Sequence, residues 1–131
     1  MSPKVKMASI WASFMFLYIY VDYFHLYMPG SLDEILNGRV FAFEISQSFL
    51  IISFASVALP AIMIFLSVSM PAGLNRGVNL LVATLYIPYS LFNLVGEAWI
   101  HMYLGAAIEV ALLILVIRTA WTWPRVDRRA A

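Results

Sequence analysis

The sequence contains no cysteine and few charged side chains. None of its 131 residues is cysteine, and Asp, Glu, Lys and Arg together make up 11%. The absence of thiols excludes disulfides, thiolate-bound metals and cysteine nucleophiles. No nucleophile–base pair and no metal motif of recognised spacing is present, and no basic patch is available for nucleic acid. Enzymatic chemistry and nucleic-acid binding are therefore both disfavoured.

The sequence is instead rich in long apolar runs. Hydrophobic residues make up 63% of it, and its mean hydropathy is +0.89. A membrane-spanning helix needs about 20 apolar residues, and four windows satisfy this: 7–28, 42–69, 78–96 and 103–123. These windows predict an all-α integral membrane protein, an antiparallel four-helix bundle forming one domain over residues 1–131. The first window lacks an A-x-A cleavage pattern, which favours a retained anchor over a signal peptide.

Local signals predict where the helices begin and end. Pro29 disfavours helical geometry in the preceding residue, which predicts that the first span ends at Met28. Ser31 and Glu34 have capping-box spacing, and Gly38 is a natural stop, so a short interfacial helix is expected between the first two spans. Segment 70–77 contains Pro, Gly and Asn and is predicted to be the turn between the second and third spans.

Polar and small residues recur at helical spacing in two spans. The serines of the second span indicate a packing seam, and a homodimer could form through this seam or through the outer face of the fourth span. The third span carries a continuous stripe that is expected to face protein or water rather than lipid. This stripe consists of Asn79, Ala83, Tyr86, Ser90, Asn93 and Glu97.

The distribution of charge predicts the orientation in the membrane. Seven basic residues fall at one membrane face: Lys4, Lys6, Arg76, Arg118, Arg125, Arg128 and Arg129. Only Arg39 falls at the other. The positive-inside rule then places both termini in the cytoplasm. All acids except Asp127 lie on the outer side.

The acids also suggest a binding site, because a carboxylate at the bilayer centre costs about 2.5–3.5 kcal/mol on insertion scales. Four spans bring polar groups to one outer level, which predicts a shared pocket for a ligand or ion. The candidate residues are Asp22, His25, Glu44, Gln47, Asn93, Glu97, His101 and Glu109, together with the aromatic residues Tyr20 and Tyr86. The position of Glu109 inside its span is explained neither by a helix cap nor by the membrane–water interface. Glu97 and His101 could instead be solvated residues of a loop. Their spacing would also suit two metal ligands.

Several stretches resemble a family of small bacterial four-span membrane proteins of unknown function. They are "SIWASFMFLYIYVDYFHLYMPG", "NGRVFAFEISQSFL", "NRGVN" and "IEVALLILVIRTAWTW". The resemblance covers most of the chain and implies a four-span fold in a bacterial inner membrane. It implies no activity. Where the family often has an amide before its Tyr-x-Tyr-x-Asp stretch, this sequence has Leu17.

These observations favour one function and leave others open. The main hypothesis is an outward-facing acidic and aromatic pocket that binds or transports a cation, a proton or a small amine-like or amphipathic ligand, with membrane lipids as neighbours and no cofactor. The alternative is a structural or accessory membrane subunit without a ligand. A lipid-modifying enzyme using Glu109 or Asp22 and a haem protein using His25 and His101 are less favoured.

Overall fold

The computed structural model describes residues 2–40, 43–94 and 99–123 and is dominated by four long helices. The elements in chain order are α1 (Pro3–His25), α2 (Ser31–Leu36), β1 (Arg39–Val40), β2 (Phe43–Glu44), α3 (Gln47–Ser69), α4 (Ala72–Phe92) and α5 (Ile100–Trp121). The predicted all-α class is confirmed, with one two-residue antiparallel strand pair as the exception.

Helix α1 ends three residues earlier than predicted. Its start is fixed by Ser2, whose hydroxyl accepts from the backbone N–H of Val5. At the other end, the backbone N–H groups of residues 26, 27 and 28 each donate to the carbonyl three residues before them. The chain therefore tightens into a 3₁₀-like turn after His25 and does not remain α-helical as far as Met28.

The short helix α2 is present, but its cap differs from the prediction. Gly30, at a φ of 84°, is the N-cap, and no side chain caps the helix. The capping box predicted from Ser31 and Glu34 is therefore wrong. Gly38, at a φ of 79°, ends the turn after α2 as predicted, because glycine adopts this left-handed conformation without steric cost.

The second long helix begins later than the apolar window that predicted it. Residues 39–40 and 43–44 form the strand pair, in which Arg39 lies opposite Glu44. The first helical residue of α3 is Gln47, and the Ser46 hydroxyl caps it by accepting from the backbone N–H of Phe49. Since Ser46 is a favourable N-cap, the helix starts there and the predicted start at residue 42 is wrong.

The turn predicted within segment 70–77 is present but shorter than that segment, because α4 already begins at Ala72. Only Met70 and Pro71 separate α3 from α4. The amide of Asn75 explains how so short a turn is held: its Nδ2 donates to the Ser67 carbonyl at 2.7 Å and to the Met70 carbonyl at 3.3 Å. These bonds satisfy carbonyls at the end of α3 that have no intrahelical donor.

The long helices alternate in direction. Trp11, early in α1, reaches Asn79, early in α4, whereas the Arg76 side chain bonds to the carbonyl of Ala120, late in α5. Helix α1 packs against both α3 and α5, and α4 packs against α5. The centre of the bundle is filled by large apolar side chains that are fully buried: Met7, Trp11, Phe14, Met63 and Leu113.

Three of the helices are long and apolar enough to cross a membrane: α1, α3 and α5. Helix α4 has 21 residues, but it also carries the polar stripe. The structure turns that stripe inward, since Asn79, Ala83, Tyr86 and Ser90 are all buried. For these four residues the prediction that the stripe faces protein or water is confirmed, whereas Asn93 is exposed and Glu97 lies outside the described residues.

Candidate functional site

Two acids from different helices approach each other in the half of the bundle that contains the end of α1. Glu109 of α5 is only 4% exposed. It lies within electrostatic range of Asp22, which is one turn before the end of α1 and is open to the outside of the bundle. A buried carboxylate and a more accessible one therefore share one region of the α1–α5 interface. We call Asp22 and Glu109 the acid pair.

A close approach of two backbones places the acid pair. Gly105 lies one helical turn before Glu109, and a Cβ built on it would be 2.7 Å from Cγ2 of Val21. Val21 directly precedes Asp22 in α1. Because glycine has no side chain, α1 and α5 can approach closely here, as small residues allow in membrane helices. Gly105 thus brings the turn that carries Glu109 against the turn that carries Asp22.

Helix α4 contributes a hydroxyl to the same region. Ser90 is completely buried, and its side chain interacts with Glu109. Within the described residues, however, its Oγ forms no hydrogen bond of standard geometry. Buried polar atoms are nearly always hydrogen-bonded. The hydroxyl of Ser90 and the carboxyl of Glu109 are therefore polar neighbours at the α4–α5 interface.

One acid of the pair lies near a tyrosine that contacts α4. The rings of Tyr18 and Tyr89 stack with centroids 6.4 Å apart, and Tyr18 lies in electrostatic range of Asp22. Tyr86, one turn before Ser90, donates its hydroxyl to the Ser56 carbonyl of α3 at 2.8 Å. Tyr18 thus connects Asp22 with an aromatic ring of α4.

The other predicted site residues lie in several places. His25 interacts electrostatically with Asp22 and is half-buried. Tyr20 is 55% exposed, and Asn93 is exposed at the end of α4. His101 lies elsewhere, beside an open pocket that it lines together with Phe24, Tyr27, Met28 and Trp99. Glu97 lies outside the described residues.

Glu44 and Gln47 lie at the strand pair and the start of α3. Both are exposed, and Glu44 faces Arg39 across the two strands. Of the predicted residues, the structure places Asp22 within electrostatic range of Glu109 and of His25. Among residues 2–40, 43–94 and 99–123, no group of three His, Cys, Asp or Glu side chains could hold a metal ion.

A second polar centre, which the sequence analysis did not predict, lies at the opposite end of the bundle. Trp11 Nε1 donates to Asn79 Oδ1 at 2.6 Å, and Asn79 Nδ2 donates to Asn75 Oδ1 at 2.6 Å. Asn75 and Asn79 are fully buried, as is Ser67, whose hydroxyl donates to Asn79 Oδ1 at 3.4 Å. We call these four residues the amide network. Two features of the sequence point to it: Asn75 and Asn79 lie one turn apart, and Asn79 belongs to the stripe predicted to face protein or water.

The amide network differs from the acid pair in that its amide groups are bonded internally. Both Asn side chains use their donors on neighbouring carbonyl oxygens, including Asn75 Nδ2 to Ser67 O and Asn79 Nδ2 to Asn75 O at 2.9 Å. A satisfied buried network stabilises one helix register. We therefore interpret the amide network as structural.

Comparison with known families identifies the chain as a member of one of them. The family profile described as "Family of unknown function (DUF6326)" matches residues 3–130. The chain therefore belongs to this family of unknown function, in agreement with the resemblance noted from its sequence. Searches of curated proteins and of solved structures found no match.

Proposed function

We propose that this chain is a four-span protein of the bacterial inner membrane that binds a cation, in particular a protonated amine, at the acid pair. The observation that carries the proposal is the burial of Glu109 beside a second acid. Asp22 acts electrostatically on Glu109, and His25 acts electrostatically on Asp22. No lysine or arginine among the described residues interacts electrostatically with either acid.

Electrostatics gives the reason for a cation. Two ionised carboxylates at short range repel each other, and this repulsion grows as the surroundings become less polar. A proton or a cation between Asp22 and Glu109 would remove it. The tyrosine rings near Asp22 would also suit an organic ammonium group, since aromatic faces attract cations. The Ser90 hydroxyl, which interacts with Glu109, could also accept a hydrogen bond from the same group.

The proposed orientation follows from the ends of the helices. Lys4 and Lys6 begin α1, Arg76 lies in the first turns of α4, and Arg118 lies in the last turn of α5. In a bundle of alternating direction these positions share one end, whereas Arg39 lies at the other. The positive-inside rule then places both termini in the cytoplasm and opens the acid pair to the outside.

Helix α4 is the proposed fourth crossing. Its length of 21 residues is sufficient for a bilayer. Its polar side chains lower its hydropathy, but the buried ones face the other helices, while Leu74, Leu81 and Leu85 are exposed on its outer surface. A helix with this distribution can face lipid on one side and the polar interior on the other.

Thermal unfolding of the detergent-solubilised protein tests the proposed function. We expect a panel of primary amines and monovalent cations to include ligands that raise the unfolding temperature, because a ligand that binds only the folded state stabilises it. Asp22→Asn and Glu109→Gln should each abolish this rise and still fold. Glu34→Gln is the matched control, since Glu34 is an exposed acid in α2 and should leave the rise unchanged.

The opposite result would favour the structural alternative. In an accessory subunit the two acids would only pack the helices. Asp22→Asn and Glu109→Gln would then lower the unfolding temperature of the protein itself, and no amine or cation would raise that of the unmodified chain.

A further inference from the structure

One cation is held in place at the end of the bundle opposite the acid pair, which we call the basic end. Its described basic residues are Lys4, Lys6, Arg76 and Arg118. Arg76 of α4 is half-buried, and its Nε donates to the carbonyl oxygen of Ala120 in α5 at 2.8 Å. This bond restricts the orientation of the guanidinium group, and it uses none of the N–H groups on the two terminal nitrogens.

An exposed tryptophan indicates the depth of this arginine in the membrane. Trp121 directly follows Ala120, the residue that Arg76 contacts, and its side chain is 73% exposed. The indole rings of membrane proteins concentrate at the membrane–water interface, where the phospholipid headgroups lie. The Arg76 guanidinium therefore lies near the level of the headgroups and their phosphates.

Exposed apolar side chains continue from this level toward the middle of the bundle. Leu81 and Leu85 follow Arg76 along α4 and are 61% and 58% exposed, and Ile114 and Leu115 precede Ala120 along α5 and are also exposed. Because α4 and α5 run in opposite directions, both pairs lie deeper in the bundle than the contact between Arg76 and Ala120. Acyl chains attached to a phosphate at Arg76 could therefore cover them.

The charge of the basic end favours an anionic partner. The sequence predicts seven basic residues and one acid, Asp127, at this end. Lys6 and Arg118 are exposed, so their charges face the surroundings of the bundle. Clusters of basic residues at a membrane surface attract anionic lipids. A lipid without net charge would bring a cation, such as choline, among these residues.

We propose that Arg76 anchors a binding site for an anionic phospholipid at the basic end. The phosphate of the lipid accepts hydrogen bonds from the terminal nitrogens of Arg76, and its acyl chains lie along the exposed leucines of α4. Arginine suits this contact because its planar group can donate two parallel hydrogen bonds to a phosphate. The site does not depend on cation binding at Asp22 and Glu109.

Native mass spectrometry of the solubilised protein with two lipids tests this proposal. Phosphatidylglycerol and phosphatidylcholine with identical acyl chains are added in equal amounts, and we expect phosphatidylglycerol to be retained preferentially. Arg76→Gln should weaken the binding of phosphatidylglycerol about tenfold, since a hydrogen bond to a charged group contributes roughly that much. Lys6→Gln is the matched control, because it removes one exposed charge from the same end and should change binding little.

A second variant separates geometry from charge. Arg76→Lys keeps the positive charge, but an ammonium group cannot reproduce the planar arrangement of donors that contacts Ala120 and the phosphate together. We therefore expect Arg76→Lys to weaken the binding of phosphatidylglycerol more than Lys6→Gln does.

Tryptophan fluorescence locates the lipid in the unmodified protein. In vesicles of equal parts phosphatidylglycerol and phosphatidylcholine, quenching should be stronger when phosphatidylglycerol carries brominated acyl chains than when phosphatidylcholine does. This excess should fall in Trp121→Phe and should withstand inorganic phosphate. Equal retention of the two lipids would overturn the proposal, as would equal losses in Arg76→Gln and Lys6→Gln, or full binding by Arg76→Lys. An unchanged excess in Trp121→Phe, or its removal by inorganic phosphate, would also overturn it.

Discussion

Replacing Asn79 by leucine is expected to lower the free energy of unfolding by about 2–3 kcal/mol. Leucine has a similar volume, so the core remains filled, but the Trp11 Nε1–H and Asn75 Oδ1 lose the partners that lie 2.6 Å away. Both groups are completely buried and cannot form replacement hydrogen bonds with water. An unsatisfied buried polar group costs about 1–3 kcal/mol. Unfolding in an SDS titration measures the change.

Asn93→Leu is the matched control for this prediction. Asn93 follows α4, the same helix, but it is exposed, so its replacement should change the stability little. A double-mutant cycle with Trp11→Phe isolates the hydrogen bond itself, because phenylalanine keeps an aromatic ring and removes the donor. Equal losses in Asn79→Leu and Asn93→Leu, or strictly additive effects in the cycle, would contradict a stabilising amide network.

Replacing Gly105 by leucine is expected to cost about 1–3 kcal/mol by overpacking the α1–α5 interface. Even a Cβ would be 2.7 Å from Cγ2 of Val21, well below contact distance. Valine is branched at Cβ and has little rotational freedom within a helix, so it cannot easily move aside. The helices must separate, which also moves Glu109 away from Asp22. We therefore expect Gly105→Leu to lose both stability and amine binding.

Gly77→Leu provides the comparison. A Cβ at Gly77 would have no atom within 4 Å, so the added side chain meets open space in α4. Since glycine is about 1 kcal/mol less favourable than alanine inside a helix, this substitution should be neutral or stabilising. If Gly77→Leu and Gly105→Leu destabilise the protein equally, the close approach of α1 and α5 is not what Gly105 provides.

Much of the helical architecture could be predicted because a long apolar run can form few structures other than a helix. The sequence also indicates which face of α4 is buried, since residues 79, 83, 86 and 90 of the stripe recur at helical spacing. The helix ends were harder to predict. Segment 70–77 has the composition of a turn, but Asn75 bonds to carbonyls at the end of α3 and so allows α4 to begin directly after Pro71. This contact links two helices and is not visible in local composition.

The candidate site could be predicted only in part for a similar reason. The cost of an acid in an apolar span pointed to Asp22 and Glu109 individually. Their approach depends on Gly105 and Val21, which carry no chemical signal of their own. The sequence predicts Glu44 at the same outer level as these acids, whereas the structure pairs its backbone position with Arg39 in two short strands.

Cross-linking within the membrane tests most directly whether the acid pair forms inside one chain. Because the protein has no cysteine, Asp22→Cys and Glu109→Cys can be combined without background, and Glu34→Cys with Glu109→Cys serves as the control. We predict that a short bis-methanethiosulfonate reagent joins residues 22 and 109 within the monomer and leaves 34 and 109 unlinked. Cross-links only between chains, or equal yields for the two pairs, would contradict the shared site.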